Sequence, residues 1–324
     1  MRDIRMVLIL AAGLALGAHS ASAQNIYSGG KTGAYYSTLC PALIEGLKPE
    51  GFTPTCVETS GSLDNVDKLL GDPSGLAMVQ TDAYANWALA NADKAKKLVT
   101  VRADLASEGV YFVSKNIADF GDMVRFITRI KLVLPPKSSG PAQTFENMKR
   151  TLPRVFAKLD ESQISYAESA TAAIQKALET DNTVALFVQL PDPSNANFKL
   201  ITDKKGNFIP VVAQALVDEK IGDTPVYTVE TRAVKAGGLI SKGIEVTTLA
   251  TPIMIIANVP DAIPAGTNAR TNYDDMIKAV KTLSREKLLP KTGSAASLFS
   301  RAFTATSSAT KDLINKTEAA IKNM

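Results

Sequence analysis

From Asn25 onward the chain alternates short apolar runs with stretches whose apolar residues recur every three or four positions. "NIYSGG" predicts a strand, and the residues after Gly33 predict a helix. "FTPTCVET" predicts a second strand. In "GSLDNVDKLLGD", Leu63, Val66 and Leu70 share one helical face, and Gly71 ends the helix. "GLAMVQ" has no polar alternation until its end and predicts a buried third strand, followed by the helical "TDAYANWALANADKAKK". "KLVTVRADLASEGVYFVSK" predicts two more strands around an interruption. This β-α-β-α-β order predicts an α/β fold, with a mostly parallel sheet, right-handed crossovers and flanking helices.

A second unit of the same order begins near Asp119. "IKLVLPP", "QISYAES" and "TVALFVQLPDP" predict strands, separated by the helices of "KSSGPAQTFENMKRTL" and "ATAAIQKALETD". From Thr247, "TTLATPIMIIANVP" is extended and long enough to carry the chain back to the first unit. Two similar α/β units predict two lobes with a cleft between them. Residues 24–116 plus 248–324 are expected in the first lobe and 117–247 in the second. Near the end, Tyr273, Met276, Ile277, Val280 and Leu283 fall on one helical stripe, and Leu313, Ile314 and Ile321 on another; both stripes predict core packing.

The beginning of the chain sets the compartment. Arg2 and Arg5 precede a run from Met6 to Ala18 that is wholly apolar or glycine, and Ala21-Ser22-Ala23 follows with the small-x-small pattern of a cleavage site. Residues 1–23 therefore read as a secretory signal. The apolar run falls short of the roughly 20 residues that a membrane span needs. With no cysteine after it, no lipid anchor is expected. A mature chain from about Gln24 is expected in the periplasm. In an oxidising compartment, the isolated pair Cys40 and Cys56 predicts one disulfide rather than a redox or metal site.

Charge and histidine content exclude several functions. The formal net charge is +4, and no basic run reaches five residues, so a nucleic-acid partner is not expected. The single histidine, His19, lies in the signal. The mature chain can build neither a Ser-His-Asp nor a Cys-His arrangement, nor a His-ligated zinc site. No cofactor or metal is expected.

In open α/β sheets, ligands bind at the loops beyond the carboxyl ends of strands. Three such places occur in the first unit: "GGKTGAYY" at 29–36, "TSGS" at 59–62, and Gln80-Thr81-Asp82. In the second unit they are "KSSGPAQT" at 137–144, Glu168-Ser169, and Gln189 to Asp192. Helix N-termini present free N–H groups and partial positive charge, and glycine lets the backbone approach a ligand. Hydroxyls at Ser60, Ser62, Ser138, Ser139 and Thr144 add donors, and Lys31 and Lys137 add positive charge. The same Ser, Thr and Asp residues also suit ordinary helix caps. What points to a ligand is their coincidence at equivalent loops. "SGGKTG" matches neither G-x-x-x-x-G-K-[ST] nor G-x-G-x-x-G, so a nucleotide loop is not predicted.

"GGKTGAYYSTL", "VETSGSLDNVDKLLGDPSGLAMVQTD", "ISYAESATAAIQKALETDNTVALFVQLPDP" and "TLATPIMIIANV" together resemble the TAXI group of solute-binding proteins, the extracytoplasmic receptors of certain TRAP-type, ion-gradient-driven transporters. The resemblance extends from about Asn25 to about Val259. It implies a type II periplasmic-binding-protein fold that closes two lobes on a small carboxylate such as glutamate or 2-oxoglutarate. It further implies a monomer and a membrane permease as partner. By this resemblance the binding turns fall on Thr32, Gly33, Tyr35 and Tyr36, on Ser60 and Ser62, and on Gln80 and Asp82. By the strand-end rule rather than the resemblance, the second-lobe contacts would come from Ser138, Ser139, Gly140, Gln143, Thr144 and Gln189. Here the family's Pro-Gly-Ser-Gly-Thr turn is replaced by "PPKSSGPAQT", which puts the family's ligand in doubt for this chain.

The expected function is that of a periplasmic receptor that captures a small polar or anionic solute and hands it to a membrane transporter. The rivals are an enzyme on the same fold, using carboxylates among Asp82, Glu108, Glu168 and Asp192, and a ligand sensor for a membrane kinase.

Overall fold

The computed structural model describes residues 24–31, 33–238, 242–289, 303–304 and 307–324; the expected signal lies outside the described residues. In the first half, strands β1 (Asn25–Tyr27), β2 (Thr55–Val57) and β3 (Leu76–Gln80) are parallel in the order β2-β1-β3. β4 (Leu98–Arg102) and β5 (Ser107–Ser114) follow. In the second half, β6 (Lys131–Leu134), β7 (Ile164–Tyr166) and β8 (Thr183–Gln189) form a second parallel trio in the order β7-β6-β8. β9 (Asn207–Ile209), β10 (Thr228–Lys235) and β11 (Ile244–Asn258) complete the set used here.

Both halves share one strand order. β11 inserts antiparallel between β3 and β4, and β5 inserts antiparallel between β8 and β9. β5 and β11 also pair with each other, Ser107 to Gly109 against Ala250 to Pro252, and so join the halves into one curled sheet. The fold is the expected two-lobed α/β architecture, each parallel trio flanked by helices.

Continuous apolar strands are required where a strand is covered on both faces, as the central ones are. Along β3, Leu76 and Met78 enter one core while Ala77 and Val79 enter another. Along β11, Ile253 and Ile255 alternate with Met254 and Ile256 between the same two cores. In the second half, Val110 and Phe112 of β5 face one core, and Tyr111 and Val113 the other. The helix stripes follow the pattern. Tyr273, Met276 and Val280 of the helix Asn268–Thr282 pack with Leu43 and Leu47 in the first half. Leu313, Ile314 and Ile321 of the helix Ser307–Lys322 pack on the second half's core.

Pro41 stands near the start of the α-helical segment Cys40–Leu47, but the helix does not begin there. The π-type segment Tyr35–Leu39 runs straight into it, with helical backbone at Ala34, Leu39 and Cys40 and the Cys40 N–H on the Tyr35 carbonyl. The wider π turn directly before the proline is where the helix takes up a ring that an ordinary α turn tolerates poorly. Cys40 and Cys56 are disulfide-bonded, with their Cα atoms 6.0 Å apart, which ties this helix to β2. By the loop-entropy relation, closing a loop of this length is worth about 3 kcal/mol. Reduction, or a Cys40→Ala/Cys56→Ala double substitution, is expected to lower unfolding stability by roughly that amount. Urea unfolding with and without reductant checks it; coincident curves would show that the bond adds nothing.

Candidate functional site

The strand ends of the first half are held by side chains from the "TSGS" turn. Thr59 Oγ1 accepts the Gly29 N–H (2.8 Å) and donates to Asn65 Oδ1. Asn65 donates in turn to the Met78 carbonyl (2.6 Å). Ser62 Oγ accepts the Gln80 N–H (3.1 Å). This clip fixes the ends of β1, β2 and β3 relative to one another, so part of the hydroxyl content of the turn serves the scaffold. Ser60 is exposed, and its N–H bonds the Asp64 carboxylate (2.8 Å). Gly33 is exposed, and its N–H closes onto the Gly30 carbonyl (2.8 Å). Thr32 lies outside the described residues. Lys31 pairs with Glu58 at 3.3 Å, so its charge is shared with a neighbouring carboxylate.

The two halves meet at these strand ends. A Cβ built on Gly61 would lie 3.8 Å from the Ser138 carbonyl oxygen, so the two loops face each other. Gln80 presses on Gly140, where an added Cβ would fall 1.4 Å from its Oε1. Glycine at 140 is what lets the Gln80 amide pass. The Gln80 Nε2 and the Ser139 Oγ are buried without a hydrogen-bond partner among the described residues. Ser138 and Lys137 are exposed, while Gln143 accepts from Asn86 Nδ2 (3.2 Å) across the seam.

Asp82 sits at the start of the helix Thr81–Ala90 and is fully buried. It accepts from Thr144 Oγ1 (2.6 Å) and Tyr227 OH (3.1 Å), both from the second half, and from the Ala83 N–H (2.8 Å). Nearby, Tyr35 OH donates to Glu108 Oε2 (2.7 Å). Tyr36 is half-buried beside it. On the far edge, Gln189 lies opposite Gly109; its Oε1 accepts from Asn197 Nδ2 (2.8 Å) and its Nε2 is buried and unpaired. The structure thus brings Tyr35, Gln80, Asp82, Ser139, Gly140, Gln143 and Thr144 to one seam and sets Gly33, Ser60 and Ser138 at its exposed margin.

Of the four carboxylates considered for acid-base work, Asp82 and Glu108 are near enough for the Asp82 charge to act on Glu108. Glu168 is exposed, and Asp192 accepts from the Ser194 N–H and hydroxyl. Burial pushes Asp82 up to about 6, against the hydrogen bonds from Thr144, Ala83 and Tyr227 that favour the ionised form. Burial pushes Glu108 up to about 7; Tyr35 opposes the rise and the Asp82 charge adds to it.

The residues that sequence reading missed are Tyr111, Tyr227 and Arg232, while Glu108 was noted only as a carboxylate. They lie within strand patterns or beside them and are recruited by partners far along the chain. One local signal existed: glycine inside "SEGVYFVS" marks a close approach to the backbone.

No family model matches the chain, and no curated protein matches it. Among solved structures it is similar to an ABC-type phosphate transport receptor from Vibrio cholerae (13% identity, TM-score 0.46, covering 87% of this chain and 100% of that one). It is also similar to the Bordetella pertussis BvgS VFT2 domain (10%, TM-score 0.44, 86% and 92%). A third is the GluR0 ligand-binding core in complex with L-glutamate (9%, TM-score 0.43, 87% and 98%). Similarity at this level bears on neither ligand nor partner.

A carboxylate whose folded pKa is raised binds protons more tightly folded than unfolded. Its contribution to stability is present at low pH and is lost as pH rises through the folded value. For Asp82 and Glu108 that window runs from their ordinary carboxylate values up to about 6 and about 7. Melting temperature is therefore expected to rise by several degrees on going from about pH 8 to about pH 5.5, and Glu108→Gln is expected to remove a large part of the rise. An equal rise in both proteins would exclude Glu108 from the linkage.

Proposed function

We propose that the chain is an extracytoplasmic receptor that closes two lobes on a small polar or anionic solute and delivers it to a membrane transporter. The observation that carries this reading is the seam itself. Buried donors from both halves, Gln80 Nε2 from one and Ser139 Oγ from the other, meet beyond the carboxyl ends of β3 and β6 with no partner among the described residues. Burying such a group unpaired costs about 1–3 kcal/mol, which a ligand acceptor would recover. The buried disulfide-bonded cysteine supports an oxidising compartment. No helix among the described residues is long and apolar enough to cross a membrane.

The sequence resemblance supports the finer reading: a TAXI-type receptor, a small carboxylate as solute, and a TRAP-type permease as the acceptor of the loaded protein. Hinge closure is the motion such a receptor uses. The enzyme alternative has less support, because the Asp82 carboxylate is already engaged by three donors.

A thermal-shift screen of the purified protein against amino acids, dicarboxylates, oxo-acids, sulfonates, phosphate and sugars tests this. A cognate solute at about 100 times its Kd adds roughly 2.7 kcal/mol and is expected to raise melting by several degrees. Ser139→Ala and Tyr35→Phe are each expected to weaken that solute about tenfold. No shift with any solute would sink the receptor reading; product formation in any mixture would favour the enzyme.

A further inference from the structure

A second group of buried donors lies on the other face of β5. Side chains alternate along a strand, so Glu108 points to the Tyr35 and Asp82 side while Ser107, Gly109 and Tyr111 point to the opposite one. Tyr111 is 1% exposed and leans back along its own strand, so that a Cβ on Gly109 would fall 2.3 Å from its hydroxyl. Its ring is fixed there by stacking on Phe187 at 5.2 Å and by an edge contact with Phe198 at 5.1 Å. Gln189 stands on the adjacent strand directly opposite Gly109, so its side chain leaves the sheet on the same face as Tyr111.

Arg232 reaches the same place from β10. It is 3% exposed; its Nη2 donates to Ser107 Oγ (2.7 Å) and pairs with the Glu230 carboxylate, which also accepts from Ser107 (2.9 Å). Tyr111 and Arg232 act on each other electrostatically, and Arg285 is near enough to act on Arg232 as well. Three donor atoms here, Tyr111 Oη, Gln189 Nε2 and Arg232 Nε, are buried without a partner among the described residues. Apart from Gln80 Nε2 and Ser139 Oγ at the seam, these are the buried side-chain donors without a partner among the described residues, whereas other buried polar groups are tied into networks such as Thr59–Asn65–Met78.

We propose that Tyr111, Gln189 and Arg232 form a subsite for the carboxylate or oxoanion group of a small solute, at the junction where β5 and β11 join the halves. All three present N–H or O–H groups; Glu230 and Ser107 occupy the Arg232 Nη2 and hold the guanidinium in place, which leaves its Nε–H for the anion. This assignment rests on the solute-receptor reading and names the side chains that make it selective for anions.

The test uses wild type, Tyr111→Phe and Gln189→Glu, with thermal shift and calorimetric titration against glutarate, L-glutamate, 2-oxoglutarate, phosphate and sulfate, and against neutral sugars and amides. At least one anion is expected to bind wild type. Tyr111→Phe should weaken it about tenfold while leaving the melting temperature of the solute-free protein unchanged or higher, because an unpaired hydroxyl is removed. Gln189→Glu keeps the acceptor for Asn197 but exchanges a donor for a negative charge, and should weaken the anion more strongly. Anion binding within twofold of wild type in both variants would overturn the subsite and leave the receptor standing. Binding of neutral solutes alone would do the same. A lower solute-free melting temperature for Tyr111→Phe would reassign Tyr111 to structure. Binding of nothing in the panel would overturn both proposals.

Discussion

Three residue pairs between two antiparallel strands carry the sheet from one half to the other: Gly109 with Ala250, Glu108 with Thr251, and Ser107 with Pro252. Each half has its own parallel trio and its own cores, and the sheet is continuous only through that short ladder. The register matters chemically as well as mechanically. A slip by one residue would send Glu108 into the patch of Tyr111 and Arg232 and leave Tyr35 facing a glycine. Apolar residues on both faces of β5 fix the register, since Val110 and Phe112 belong to one core and Tyr111 and Val113 to another.

Around the ladder, burial of charge is balanced by hydroxyls rather than by counter-ions. Asp82 faces Thr144 and Tyr227, and Glu108 faces Tyr35. Such contacts hold two bodies together without locking them. Separation loses the hydrogen bonds but returns hydration to the carboxylate, so the net change is far smaller than the gross interaction. For the receptor proposed above, closing and releasing require states separated by only a few kcal/mol. The buried guanidinium of Arg232 is treated differently, since it has a carboxylate partner beside it.

Much of the architecture is legible in the chain. The repeated strand order appears as repeated apolar runs, and the fully buried strands appear as runs without alternation. The lone cysteine pair has the bond its compartment suggested. Ser169 caps the helix Ala170–Glu179 through the Ala172 N–H, as a serine in that place should. The site was legible only where a loop opens a helix. Ser139, which reads as a cap, makes no capping bond and buries its hydroxyl in the seam instead. Lys31, read as free positive charge, is paired with Glu58. Tyr227 reaches Asp82 across 145 positions and Arg232 reaches Ser107 across 125. No local pattern encodes such partners, because strand periodicity reports only that a residue is buried on a given face and not what it meets there.

Pro252 gives the junction a property of its own. Proline has no N–H, and here it lies inside a central strand, a place from which it is usually absent. Its carbonyl is engaged by Thr81 Oγ1 (2.8 Å), and the next residue, Ile253, donates to the Ala106 carbonyl (2.8 Å). Ile253 and Ala106 therefore form a hydrogen-bonded pair, and Pro252 opposite Ser107 falls at the adjacent non-hydrogen-bonded position, where the Pro252 nitrogen faces away from β5. On that other side the strand changes neighbours, from β3, which ends its pairing at Gln80 opposite Ile253, to β10, which begins at Thr228 opposite Ala250. The proline thus occupies the one stretch of β11 where a missing N–H costs neither ladder a bond, and it marks the place where the long strand passes from one half to the other.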